Sequence, residues 1–239
     1  SAEGLSDATI AEIDAMLTSL ADQAPTPAQI ISAGMPWGGL QEKLHAKMAR
    51  LADPTLSEAE ARVSARIAPG CPFPEPAVTD ETRPWLELLE NGTFSAATLE
   101  AVPVDFEVAA GWVHLLDASV AAGHDTWLHN LFLGTHALEA GNAVDGKAFM
   151  AKSMALRPNV HAARALALLA PTQDAAAQLY KAAWDLWEKL SARTRVASAH
   201  VKDFANAKAY TDPNVFQLGA DLSGEIAGWF LGNSRWAEL

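Results

Sequence analysis

Histidines, glutamates and tryptophans are the residues here whose types could do chemistry. His129 and His136 lie seven apart on one helical face, with His124 just before them. Two helical turns separate side chains by about 10 Å. A zinc ion holds its ligands at roughly 2 Å, and helical metal pairs sit closer, as in H-E-x-x-H. No metal site is expected from them. They read instead as surface or groove-lining histidines, with His129 as a contact residue. Glu81, Glu87 and Glu90 fall on one short predicted helix. A glycosidase places its two carboxyls about 5 to 10 Å apart across a sugar, whereas carboxylates along one helix do not flank a substrate. They read as a solvated face. Cys71, the single cysteine, sits in a Pro/Gly loop without a visible activating base. A nucleophilic thiol needs such a partner to lower its pKa.

Eight tryptophans are many for a helical chain. Their faces can stack on sugars, but large rings also fill the gaps that alanines leave. Trp37, between Pro36 and Gly38, reads as a loop aromatic presented to a partner, and Trp127 follows it. With Phe73, Trp85 and His129 these form the expected binding set. There is no G-x-S-x-G, no P-loop and no G-x-G-x-x-G, and the glycines of "GWFLGNS" fall inside or after a helix. Neither a catalytic residue nor a cofactor is expected in this chain.

The elements that must position these residues are helical. Half of the 239 residues are apolar, which is enough for a sizeable core. Alanine is abundant and β-branched residues are sparse, a composition that favours closely packed helices. A net charge of -12 disfavours phosphate backbones and anionic lipid surfaces alike, so neither nucleic acid nor membrane is expected as a partner. No apolar run reaches about 18 residues, and the start shows no signal peptide. One thiol makes no internal disulfide, which fits a reducing, cytoplasmic setting.

Along the chain, residues 6–23 have helical spacing and residues 24–39 read as turn-rich loop with room for one short helix. "LQEKLHAKMARLAD" is an amphipathic helix ending before Pro54, and Ser57 with Glu60 forms a capping box for the next. Pro69, Pro72, Pro74, Pro76 and Pro84 forbid regular structure over most of the following stretch, which reads as an extended strap anchored by Phe73. Asp80 should cap a helix that stops near Gly92, and Ser95 another. A helix is predicted over Val104–Ala122. From Thr126 the pattern becomes regular: one helix to about Ala140, one from about Val144 to Pro158, a third over "VHAARALALLAP" and a fourth capped by Asp174. The fourth carries Tyr180, Trp184 and Trp187 on one face. Pro213 opens a last helix that ends near Gly232. The expected fold class is all-α, with irregular N-terminal helices and strap over 1–78 and a helical array over 79–239.

Paired helices with a small residue at the crossing and a closing proline suggest a repeat of roughly 34 residues. The stretch from Trp127 to Val160 resembles a tetratricopeptide unit. Leu133-Gly134 stands at the Leu-Gly pair, Gly141 at the turn, Gly146 at the helix contact and Pro158 at the close. Asn130 and Ala137 replace usual aromatics, and Leu168 replaces the glycine of the following unit. "AGMPWGGLQEKL", "CPFPEP", "TRPWLELLENGTF", "TWLHNLFLGTHALEAGN" and "SMALRPNVHAARALALLA" resemble, in this order, a group of bacterial proteins of unknown function. Those proteins are similar to carbohydrate-active enzymes and join an N-terminal β-sandwich region to a C-terminal tetratricopeptide-like region. The resemblance implies a scaffold that is a fragment of a longer protein, with its β-rich part as partner. Leu239, one turn into an apolar helix, agrees with a fragment, since solenoids normally end in a polar cap. It leaves two other readings. The chain completes a sugar site with Trp37, His129 or Glu81, or it is a free-standing adaptor for a peptide segment.

Overall fold

The computed structural model describes residue 11, residues 36–64, 76–194 and 212–235, and residue 237. The chain is all-α, and no strand occurs among the described residues. No described helix is long and apolar enough to cross a membrane. Two compact units divide the chain. One comprises Ser1–Thr98 with Ala110–Leu115, the other Leu99–Ala109 with Leu116–Leu239. The boundary expected at residue 78 thus falls inside the first unit.

In the first unit, α1 is Pro36–Ala52, α2 is Glu58–Ser64 and α3 is Arg83–Asn91. Trp37 therefore stands in the first turn of a helix and not in a loop. Proline is tolerated at a helix start because its missing N–H would have no partner there, so Pro36 opens α1 where it had been read as a breaker. The side chain of Trp37 lies outside the described residues, as do Phe73, Cys71 and most of the strap. The capping box forms as expected: Ser57 N–H donates to Glu60 Oε2 at 2.9 Å, and Glu60 N–H to Ser57 Oγ at 3.2 Å. Thr82, not Asp80, precedes α3. Thr79 and Thr82 form their own turn, with Thr82 N–H donating to Thr79 Oγ1 at 3.2 Å. Asp80 lies 3.9 Å from Arg83 at the surface. Leu40, Leu44, Ala61, Trp85, Leu88 and Trp112 make the core, with the rings of Trp85 and Trp112 5.1 Å apart.

The helix α4, Ala96–Glu100, opens on Ser95, whose Oγ accepts from Thr98 N–H at 3.2 Å. The helix predicted from Val104 begins only at Ala110, as α5, Ala110–Ala121. Residues 102–109 have no helical structure. Pro103 lacks a donor, and Val102, Val104 and Val108 are stiff at χ1. Tertiary contacts then hold the segment. The ring of Phe106 meets Phe132 edge-on at 5.6 Å and His161 at 5.3 Å, and His136 Nδ1 donates to the Val108 carbonyl at 2.8 Å.

Five further helices follow in the second unit: α6 Trp127–Glu139, α7 Ala143–Leu156, α8 Val160–Leu168, α9 Gln173–Thr194 and α10 Pro213–Gly232. Every substantial helix contact among them joins neighbours in sequence. The starts of α7, α8 and α10 are fixed by side-chain caps: Asn142, Asn159 and Asp212 accept from Asp145, Ala162 and Asn214 N–H. For α9 the cap is Thr172, whose Oγ1 accepts from Ala175 N–H at 3.2 Å, two residues before the expected Asp174. The turn between α6 and α7 needs a left-handed residue, and Gly141 supplies it at φ +77°. Gly134 lies against Met150, and Gly146 against Leu138, so the two helices run antiparallel. A Cβ on Gly146 would sit 2.5 Å from Leu138 Cδ2, which is why a glycine marks this crossing. Between α9 and α10, Tyr180, Ala183 and Trp187 pack with Val215, Leu218, Leu222 and Phe230. Trp184 joins them partly buried, as its spacing predicted.

Candidate functional site

His129 projects from the first turn of α6 and is fully buried. Thr126, just before the helix, and Ser119 of α5 lie 2.8 Å from its two ring nitrogens. Burial, the largest cause, pushes its pKa down to about 4, so the ring is neutral at pH 7. Next to it Asn130 Nδ2 donates to Asp125 Oδ1 at 2.7 Å and to the Thr126 carbonyl at 2.8 Å. Lys152 reaches Asp125 Oδ2 at 2.6 Å, and hydrogen bonds from Lys152 and then Asn130 hold that carboxylate below its usual range.

A hydroxyl beside a histidine resembles half of a nucleophilic pair. A working pair needs an accessible hydroxyl and a third group that orients the base. Ser119 is buried at 3% exposure, and the far nitrogen of His129 meets a threonine hydroxyl instead of a carboxylate. The group locks the α5–α6 turn. The expectation that His129 lines a groove is thus corrected: the polar partners that satisfy its ring are internal. Among the described residues no three His, Cys, Asp or Glu side chains gather as a metal-ligating group.

Trp127, at the start of α6, is the expected contact residue that does line a cleft. The cleft holds about 200 Å³. Its walls come from four places. Glu100 to Pro103 form one edge, and Trp127 the floor beside them. Arg157 to His161, the link from α7 to α8, form the second edge. Leu186, Lys189 and Leu190 of α9, with Leu218 of α10, close the remaining side.

Three chemical features distinguish this cleft. Arg157 joins Glu100 at 3.1 and 3.0 Å, donates to the Leu99 carbonyl, and lies 5.2 Å over the Trp127 ring. One face of the indole is therefore covered by a guanidinium. The Trp127 carbonyl accepts from the buried Ser153 Oγ at 2.8 Å, which fixes the residue. The indole Nε1–H of Trp127 and the ring Nε2 of His161 are buried without a hydrogen-bond partner among the described residues. His161 is held down to about pKa 4 chiefly by burial, then by the Arg164 cation, while a hydrogen bond with the Pro103 backbone works the other way. Proline has only a carbonyl to offer, so the other ring nitrogen, Nδ1, donates to it. Nε2 is then a bare acceptor, and Trp127 contributes an unused donor. Both nitrogens are enclosed beside the cleft, whose rim carries an exposed cation, Lys189.

Trp85 is fully buried in the first unit. Its ring serves the core and presents no surface to a partner, because α3 turns its apolar face inward. Sequence reasoning missed Arg157, His161 and Lys189. Arg157 precedes Pro158 and so marks a link between helices, but its fold back onto Leu99 and Glu100 has no local signal. His161 and Lys189 look like ordinary helix residues until α8 and α9 are packed. Comparison with protein-family models, with curated proteins and with solved structures finds no match for this chain.

Proposed function

We propose that the chain is a non-catalytic helical scaffold that holds a segment of another protein domain. The observation that carries this reading is the serial packing of α6 to α10, each helix on the next. Stacks of this kind build continuous surfaces from successive helices and serve as binding platforms. The resemblance to tetratricopeptide units over residues 127–160 supports the same reading, as do the glycine-mediated contacts of α6 and α7. The cleft beside Trp127 is the docking point. The apolar side chains of a polypeptide fit its apolar walls, beside the Lys189 cation at the rim. The β-rich part of a longer parent protein is the partner favoured by the resemblance, and the cytoplasm the favoured setting. Completion of a sugar site is less supported, because stacking needs an open ring face and Trp127 has one covered by Arg157.

Lys189 is exposed at the rim, so Lys189→Glu should change stability by no more than about 0.5 kcal/mol. Affinity capture from source cells with the wild-type chain should retain a partner protein. Lys189→Glu should retain several-fold less, with unchanged helical circular dichroism. Equal retention by both chains would remove the cleft from the proposal.

A further inference from the structure

Residues 102–109 lie on α6 and α8 as a bound segment would. None of them is buried, whereas Phe132, which meets the Phe106 ring at 5.6 Å, is 1% exposed. Among the described residues, 102–108 form no backbone–backbone hydrogen bond. Side chains of the helical array hold this link by its carbonyls instead. His136 of α6 donates to Val108 at 2.8 Å, and His161 of α8 donates to Pro103. Arg157, between α7 and α8, donates to Leu99 just before the link. Main-chain carbonyls belong to every polypeptide, so these three contacts select a chain segment without selecting its sequence.

Two further contacts supply a sequence preference. The Phe106 ring touches both Phe132 and, at 5.3 Å, His161, and aromatic anchors of this kind dominate the binding of segments. Glu100 meets Arg157 at 3.1 and 3.0 Å, a two-point contact that specifies a carboxylate. The core of the array lies elsewhere, in residues such as Leu131, Met150 and Ala163, so the link can leave without opening it.

We propose that the face of α6 and α8 under this link is a docking face for a segment of another protein, which the link itself occupies in cis. The segment it takes places a carboxylate six residues before a phenylalanine, as Glu100 precedes Phe106, with a carbonyl between them for His161. A tethered segment competes at an effective concentration of about millimolar, so a partner enters by displacing the link. The face adjoins the Trp127 cleft through Pro103 and His161. Its test needs no partner from the cell, so either site can fail alone.

A labelled synthetic peptide of residues 99–110 is titrated into the full chain and followed by fluorescence anisotropy. In Phe106→Ala the link has lost its anchor, so saturable binding is expected, at least about tenfold tighter than to the wild-type chain. The same peptide carrying Phe106→Ala should not saturate, and Glu100→Gln in the peptide should weaken binding several-fold. Should the Phe106→Ala chain lose its helical circular dichroism, Phe106→Leu takes its place, with a gain of at least about threefold expected. Loss of helical signal in both variants would overturn the proposal, because it would make the link part of the core. Absence of saturable binding to a folded variant would overturn it too, as would equal binding by wild type and variant, or by the peptide without its phenylalanine.

Discussion

Gly219→Ala should destabilise the second unit by about 3 kcal/mol, read as a lower urea midpoint in tryptophan fluorescence. Gly219 lies in α10 directly under Trp187 of α9. A Cβ there would sit 2.3 Å from two ring carbons of that indole and 2.5 Å from its nitrogen. The ring cannot flex away as an aliphatic tip would. It is 8% exposed, and its Nε1–H donates to the Val215 carbonyl at 2.9 Å in the same helix contact. Overpacking costs about 1 to 3 kcal/mol, and a broken buried hydrogen bond adds about 1 to 3. Gly224 is the internal control. It lies in the same helix with nothing within 4 Å of an added Cβ. Gly224→Ala should leave stability unchanged or raise it by up to about 1 kcal/mol through helix propensity. Equal effects at the two positions would contradict the packing of α9 on α10 described above.

Stability should also fall as pH drops from about 6.5 to about 4. His129 and His161 both have folded pKa values pushed down to about 4 from 6.5, first by burial. The unfolded chain therefore takes up these two protons before the folded chain does. Their contribution is fully present above pH 6.5 and is lost as pH falls through the folded values. At about 1.4 kcal/mol per pH unit, a fall from 6.5 to about 4 makes each ring worth at most about 3 kcal/mol at the acid limit. Asp125 counters this at His129, while His124 and, at His161, Arg164 add to it. Carboxylates held below their ordinary range, Asp53, Glu60 and Asp125, act in the same direction but only at lower pH. Urea midpoints measured from pH 7 to pH 4.5 should fall, and His161→Asn should flatten the profile. A flat wild-type profile would contradict the burial of both rings.

The legible parts of the fold were those with local signatures. The Ser57–Glu60 box, the stops at Gly92 and Gly141, and the start at Pro213 each depend on a few adjacent residues. The face of Tyr180, Trp184 and Trp187 could be read because a helix repeats its burial at i, i+4 and i+7. Residues 104–109 differ from the expected helix because their apolar spacing also suits one. What holds them out of a helix are Phe132, His161 and His136, which lie 26 or more positions along the chain. Of the candidate site, Trp127 was legible as an aromatic at a helix start. The unpartnered nitrogen of His161 and the fold of Arg157 over the indole depend on which helices come together. His129 was recognised as a special residue but given the wrong surroundings, since Ser119 and Thr126 carry no signal until the α5–α6 turn closes.

The most direct test of the scaffold reading is a site-specific photocrosslinker placed in the source cells at position 189, on the rim of the cleft, and separately at position 139, the exposed last residue of α6. The account predicts one dominant crosslinked protein from position 189, with the attachment mapped to a single segment of that partner, and no such product from position 139. Crosslinking to many proteins at random, or the same product from both positions, would contradict a dedicated docking cleft.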